Sequence, residues 1–219
     1  MLLAFGSGSW SAEPSAHPSP TRFEGEIRLF ERRDQTNPPP SGSVVFTGSS
    51  SVALWRGLGA DFSGFPTLNR GFGGSTWPDL NHYFDRVITK YQPRAVLVYE
   101  GDNDLALGYS VAECVAQCQR FRRQMRERLP GVPVAILAVK PSPSRRHLRL
   151  QQEELNAAIL AVVADEPNWT LLNVAAPLVN ASGEPRPEFF EADGLHLNPA
   201  GYARWIPVIR PWLERVAAP

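Results

Sequence analysis

The chain has 219 residues, 43% of them hydrophobic and 20% charged, so it carries enough apolar material for a sizeable core and the bulk is not disordered. Lys and Arg number 22, as do Asp and Glu, and the formal net charge of +0 gives no general electrostatic reason to bind nucleic acid or an acidic membrane. No apolar run approaches the ~20 residues of a membrane span, so a soluble protein is expected; the two cysteines exclude a disulfide framework and a four-cysteine zinc site.

Met1 to Phe5 resemble the end of a signal-peptide apolar region, although no basic residues precede them. Residues 1–21 are therefore expected to be a disordered tail or a signal-peptide remnant, with export to the periplasm preferred over a cytoplasmic location. In residues 22–43, Phe23, Ile27, Leu29 and Phe30 lie among charges and predict a short amphipathic helix. A Pro-rich linker, Gln35 to Ser43, follows it, and both are expected to pack on a domain spanning residues 44–219.

From Val44 the pattern alternates. The apolar runs Val44–Thr47, Ala95–Tyr99, Val134–Val139 and Thr170–Val174 predict buried strands, with a shorter one at Pro66–Asn69. Between them, Thr76–Lys90 and Ser110–Leu129 open with Thr-x-x-Asp and Ser-x-x-Glu caps and carry apolar stripes. Cys114 and Cys118 fall on the second stripe and read as a buried, reduced pair. His147–Ala164 predicts a third helix. Asn198 and Pro199 start the last as N-cap and first residue, and Pro207 and Pro211 are expected to kink it or cut it short. Strands alternating with helices predict an α/β protein: a three-layer α/β/α sandwich on a mostly parallel sheet of about five strands. Function in such folds gathers in the loops beyond the carboxyl ends of the strands.

Those loops are Gly48-Ser49-Ser50-Ser51, Asn69-Arg70-Gly71-Phe72-Gly73-Gly74-Ser75, Glu100-Gly101-Asp102-Asn103-Asp104 and, before the last helix, Asp193-Gly194-Leu195-His196. Taken singly, each reads as a turn or a helix cap. Together they hold the parts of acyl-transfer chemistry: a hydroxyl, a base to activate it, a carboxylate to orient the base, and donors for a tetrahedral oxyanion.

From Val44 onward, these four ordered blocks resemble the SGNH hydrolases, the group that includes the GDSL esterases. The resemblance implies that Ser50 is the nucleophile, His196 the general base and Asp193 the acid that orients it. It also implies an oxyanion hole built from the Ser50 N–H, the Gly74 N–H and the Asn103 side chain. One position departs from the family pattern: the Asp that usually precedes the nucleophile is Ser49 here. Because Ser49, Ser50 and Ser51 are adjacent, the register rests on the spacing from Gly48, which favours Ser50.

The expected reaction is hydrolysis of a carboxylic ester with a short acyl chain, such as an acetyl ester, through an acyl-enzyme. Acyl transfer, lysophospholipase or thioesterase action on the same site, and a non-catalytic binding module, are the alternatives. Candidates for substrate contact are Ser49, Phe72 (with Trp77 and Tyr83 as further acyl-pocket residues) and the basic residues Lys140 and Arg145 beyond the fourth strand. Packing under the loop is the competing account of the aromatics, and a solvated loop that of the basic residues. No Gly-x-Ser-x-Gly elbow, P-loop lysine or Gly-x-Gly-x-x-Gly spacing occurs where it would be needed, and a flavodoxin-like binder would require a phosphate loop after the first strand. His17, His82 and His147 have no ligand spacing. No cofactor and no metal are expected; the partner is a small-molecule ester, with no nucleic acid and no membrane span, and the oligomeric state is open.

Overall fold

The computed structural model describes residues 17–217. The tail or signal-peptide expectation falls mostly on residues 1–16, outside the described residues. His17 stacks on Tyr109 with ring centroids 3.6 Å apart, and Pro20–Phe23 forms a 3-10 turn leading into helix α1 (Glu24–Thr36).

Five strands follow: β1 (Val44–Gly48), β2 (Thr67–Gly71), β3 (Ala95–Tyr99), β4 (Val134–Leu137) and β5 (Trp169–Leu172). They form one sheet in the order β2-β1-β3-β4-β5, and every pairing is parallel. Side chains alternate between the faces of a strand. Val45, Val96, Val98, Val134 and Ile136 therefore enter one core, Val44, Phe46, Ala95, Leu97 and Tyr99 the other. The first core is covered by α1, α4 (Trp77–Val87), α6 (Val111–Arg128) and α7 (Arg149–Ala164); Cys114 and Cys118 are free thiols buried in it. The second is covered by α8 (Pro199–Val216) and the short α2 (Ser50–Ala53) and α3 (Leu58–Asp61). Among the described residues no helix is long and apolar enough to cross a membrane.

Of the two outcomes expected for α8, the helix is not cut short: it runs through Pro207 and Pro211 to Val216. Each interior proline costs roughly 3 kcal/mol. Tyr202, Trp205, Ile209, Trp212 and Leu213 are all buried on one face, and burying a large apolar side chain contributes about 1.5–3 kcal/mol. Burial of five such residues outweighs two breaks.

Helix α1 is docked by charge as well as by Phe23 and Ile27, which are buried. Arg86 of α4 bonds to Glu24 (2.7 Å) and Glu31 (2.7 Å), and Arg70 pairs with Asp34. Hydrogen bonds from Arg86 and then Arg28 lower the Glu24 pKa from 4.5 to about 2. A carboxylate whose folded pKa is depressed stabilises above its unfolded value and ceases to as pH falls through the folded one. The α1 contact is thus expected to weaken between about pH 4.5 and pH 2. Thermal unfolding measured across that window should show a steeper acid loss for wild type than for Arg86→Ala.

Candidate active site

The switch point of this sheet lies at β1, flanked by β2 and β3, so the loops after these three strands share one crevice at the carboxyl edge. Gly48 ends β1 with φ 113°, and a Cβ there would stand 2.2 Å from the Tyr99 carbonyl oxygen of β3. Only glycine fits both the conformation and the approach. The chain then turns into α2, whose first residue is Ser50. Ser49 and Ser51 are both buried; the Ser49 N–H donates to the Tyr99 carbonyl (3.0 Å), and the Ser51 carbonyl accepts from the Tyr202 hydroxyl (3.1 Å).

Of the three serines, Ser50 faces the imidazole: its Oγ lies 3.1 Å from His196 Nε2. The other ring nitrogen, Nδ1, is 2.6 Å from Asp193 Oδ2. Asp193 Oδ1 accepts the backbone N–H groups of Leu195 (2.8 Å) and His196 (3.0 Å), so the Asp-Gly-Leu-His segment closes on its own acid as a tight Asx-type turn. Burial raises the Asp193 pKa, but the two N–H bonds and the imidazole outweigh it and hold the carboxyl at about 2. The carboxylate is therefore charged at any working pH.

The loop after β2 passes beside the serine: a Cβ on Gly73 would sit 3.8 Å from that of Ser50. Gly74 has φ 86°, and its carbonyl accepts from Arg22 (3.2 Å), which also pairs with Asp79 (2.7 Å). Asp79 in turn caps α4 by accepting from the Thr76 N–H (2.9 Å) and hydroxyl (2.6 Å). Beneath the loop, Ser75 donates to the buried Glu100 (2.6 Å). Burial first, and then the charge of Asp104, push the Glu100 pKa well up. Asp104 accepts from the backbone N–H of Trp77 (3.0 Å) and of Gly101 (3.1 Å), tying the start of α4 to α5 (Asp102–Ala106). Asn103, on α5, donates Nδ2–H to the Ser75 carbonyl (2.9 Å).

Ser50, Asp193 and His196 thus lie within hydrogen-bonding reach in series, and Gly74 and Asn103 belong to segments joined beside Ser50. The substrate-contact candidates fare differently. Phe72 is core: it is buried edge-on against Phe23 and Tyr83, because the apolar face of the N-terminal turn packs over it. Trp77 and Tyr83 are buried likewise. Ser49 is covered by the β1–β3 contact. Lys140 is also buried and presents no charge to a ligand; its Nζ donates to the Leu195 carbonyl (2.9 Å) and stands 3.7 Å from Asp102. Arg145 is taken up by Asp102 and Asn103, at 2.9 Å from each. Sequence spacing did not reveal what Arg22, Glu100 and Asp104 bind, because Gly74, Ser75 and Trp77 lie 52, 25 and 27 positions from them.

A cleft of about 550 Å³ opens beside Asp193 and His196, lined by them and by Arg56, Glu191 and Tyr202 among others. Among the described residues no group of three His, Cys, Asp or Glu side chains is placed to hold a metal ion.

The sequence model of the GDSL-like lipase/acylhydrolase family matches residues 41–204, and the chain belongs to that family. It is a hydrolase of ester bonds. Solved structures share the fold. A GDSL-like lipase from Bacteroides thetaiotaomicron is 20% identical, with 86% of this chain and 97% of that one covered and a TM-score of 0.74. A lipase/acylhydrolase from Enterococcus faecalis is 20% identical over 82% and 99%, with a TM-score of 0.64. An acetylxylan esterase from Geobacillus stearothermophilus is 15% identical over 81% and 95%, with a TM-score of 0.63. No curated protein sequence matches the chain.

Proposed function

We propose that this protein hydrolyses short-chain carboxylic esters through an acyl-enzyme on Ser50. The observation that carries the proposal is the unbroken series Ser50 Oγ, His196 and Asp193, with contacts of 3.1 Å and 2.6 Å. His196 Nε2 takes the Ser50 proton as Oγ attacks the acyl carbon, then delivers it to the departing alcohol oxygen. Asp193 fixes the proton on Nδ1 and balances the imidazolium charge. Water, deprotonated by the same Nε2, releases the acid and returns the proton to Ser50. The oxyanion is met by the N–H groups of Ser50 and Gly74 and by the second Nδ2–H of Asn103, the first being held by Ser75.

A short acyl chain is supported by the fate of the aromatics. Phe72, Trp77 and Tyr83 are committed to the core, so they do not wall a tunnel for a long tail. The acetyl specificity named for the Geobacillus esterase is consistent with this choice.

The test is hydrolysis of p-nitrophenyl acetate, butyrate and octanoate, with a fluorophosphonate probe mapped by mass to its adduct. Acetate turnover exceeding octanoate, with the adduct on Ser50, is expected; labelling of another residue would overturn the assignment. Asn103→Ala should lower kcat on the order of 100-fold or more with KM little changed, since the lost donor acts on charge that develops only in the transition state. Steady-state kinetics on the acetate check this, and a change confined to KM would remove Asn103 from the oxyanion hole.

A further inference from the structure

Asn103 can present a donor to the oxyanion only if its amide faces the right way. Rotated by half a turn about its last torsion, the same side chain would offer a carbonyl oxygen and repel the developing charge. An isolated asparagine has no strong preference between the two orientations. Here the amide lies between two groups of fixed polarity. The Ser75 carbonyl, which can only accept, takes Nδ2–H at 2.9 Å. The Arg145 guanidinium, which can only donate, gives Nη2–H to Oδ1 at 2.9 Å.

We infer that Arg145 is a positioning residue for the reaction: its guanidinium locks the Asn103 amide with the second Nδ2–H towards the oxyanion. The inference rests on the proposed role of Asn103. Arg145 is itself held. Its Nη1 lies 2.9 Å from Asp102 Oδ1, and that buried carboxylate also accepts from Gln152 (3.1 Å) and has Lys140 Nζ at 3.7 Å. The segment that carries Arg145 is fastened to the loop of the base, because the Ser144 N–H (3.0 Å) and hydroxyl (3.1 Å) both donate to the Gly194 carbonyl. Lys140 donates to the neighbouring Leu195 carbonyl. One short stretch, 140–145, therefore sets both the acid–base turn and the orientation of the oxyanion amide. The guanidinium also polarises the amide it binds, which makes Nδ2–H a stronger donor.

A substrate-binding arginine and a merely structural one predict different kinetics. With p-nitrophenyl acetate, Arg145→Ala should lower kcat by about 10- to 100-fold, a large part of what loss of an oxyanion donor costs, while KM changes less than about twofold, because the amide acts on the transition state. In an Asn103→Ala background the same substitution should have no further effect on kcat, since nothing remains to be oriented. Arg145→Lys, which keeps one cationic donor, should recover part of the loss. Asp102 retains Lys140 and Gln152 in both variants, and their melting temperatures report whether the fold is kept. The inference is overturned if KM rises while kcat stands, or if Arg145→Ala costs the same factor with and without Asn103. It is overturned as well if Arg145→Ala is fully active. Failure of the underlying assignment is distinguishable: Ser50→Ala or Asn103→Ala alone would then retain full kcat.

Discussion

Ser50→Ala is expected to lower kcat for p-nitrophenyl acetate on the order of a million-fold, the scale seen when a hydroxyl nucleophile is deleted from an assembled triad. The substitution removes one atom. Ser50 N–H remains at the start of α2, Gly48 still makes its close approach to Tyr99, and among the described residues the hydrogen bond lost is the one to His196. Stability should therefore change by no more than about 1 kcal/mol. Substrate should still bind, and a residual rate above that in water should persist from the oxyanion donors. Stopped-flow release of p-nitrophenol is the sharpest readout, since an acyl-enzyme gives a burst equal to the enzyme concentration. A burst surviving in Ser50→Ala would place the nucleophile elsewhere.

Asp193→Asn should cost about 10,000-fold in kcat, and the reason lies in which atoms the acid binds. Asp193 Oδ1 accepts two backbone N–H groups, so the replacing amide will keep its oxygen there and turn its NH2 towards the imidazole. Nδ1 must then act as acceptor, the ring proton moves to Nε2, and Nε2 can no longer take the proton of Ser50. Geometry is preserved while the tautomer is wrong. The pKa of about 2 has a further consequence: wild-type Asp193 is ionised well into acid, so its own protonation does not limit activity until the pH approaches that value. The pH–rate profiles of wild type and variant check this; a loss under tenfold would show that another group orients His196.

The strands were legible because both faces of this sheet are covered. Their cores read as continuous apolar runs, and Ala95–Tyr99 matches its prediction at both ends. Caps marked the starts of α4 and α6, where Thr76 with Asp79 and Ser110 with Glu113 form reciprocal boxes. The short helices α2, α3 and α5 left no periodic trace, since four or five residues are barely one turn. That α8 continues past Pro207 and Pro211 was not legible, because local backbone preference carries no information about the burial of Trp205 and Trp212. At the site, residue types suited to chemistry stood out by their position after strands and, for Asp193 and His196, just before the last helix. The groups that hold them did not: a basic loop reads the same in sequence whether its charges meet solvent, a ligand or a buried carboxylate, and the partner of Arg145 lies 42 positions away.

Arg22 gives the family boundary a different meaning. The shared family pattern begins at residue 41, yet the guanidinium that grips the Gly74 carbonyl comes from residue 22, and Phe23 lies against Phe72 in the same loop. The stretch that the family model matches and the stretch that holds this loop in place are not coextensive. A chain trimmed to the family boundary would keep Ser50, Asp193 and His196 while losing Arg22 and Phe23, which brace the 72–74 loop from outside, so a preparation that begins at the boundary would carry the reactive side chains on a loop with one of its supports removed.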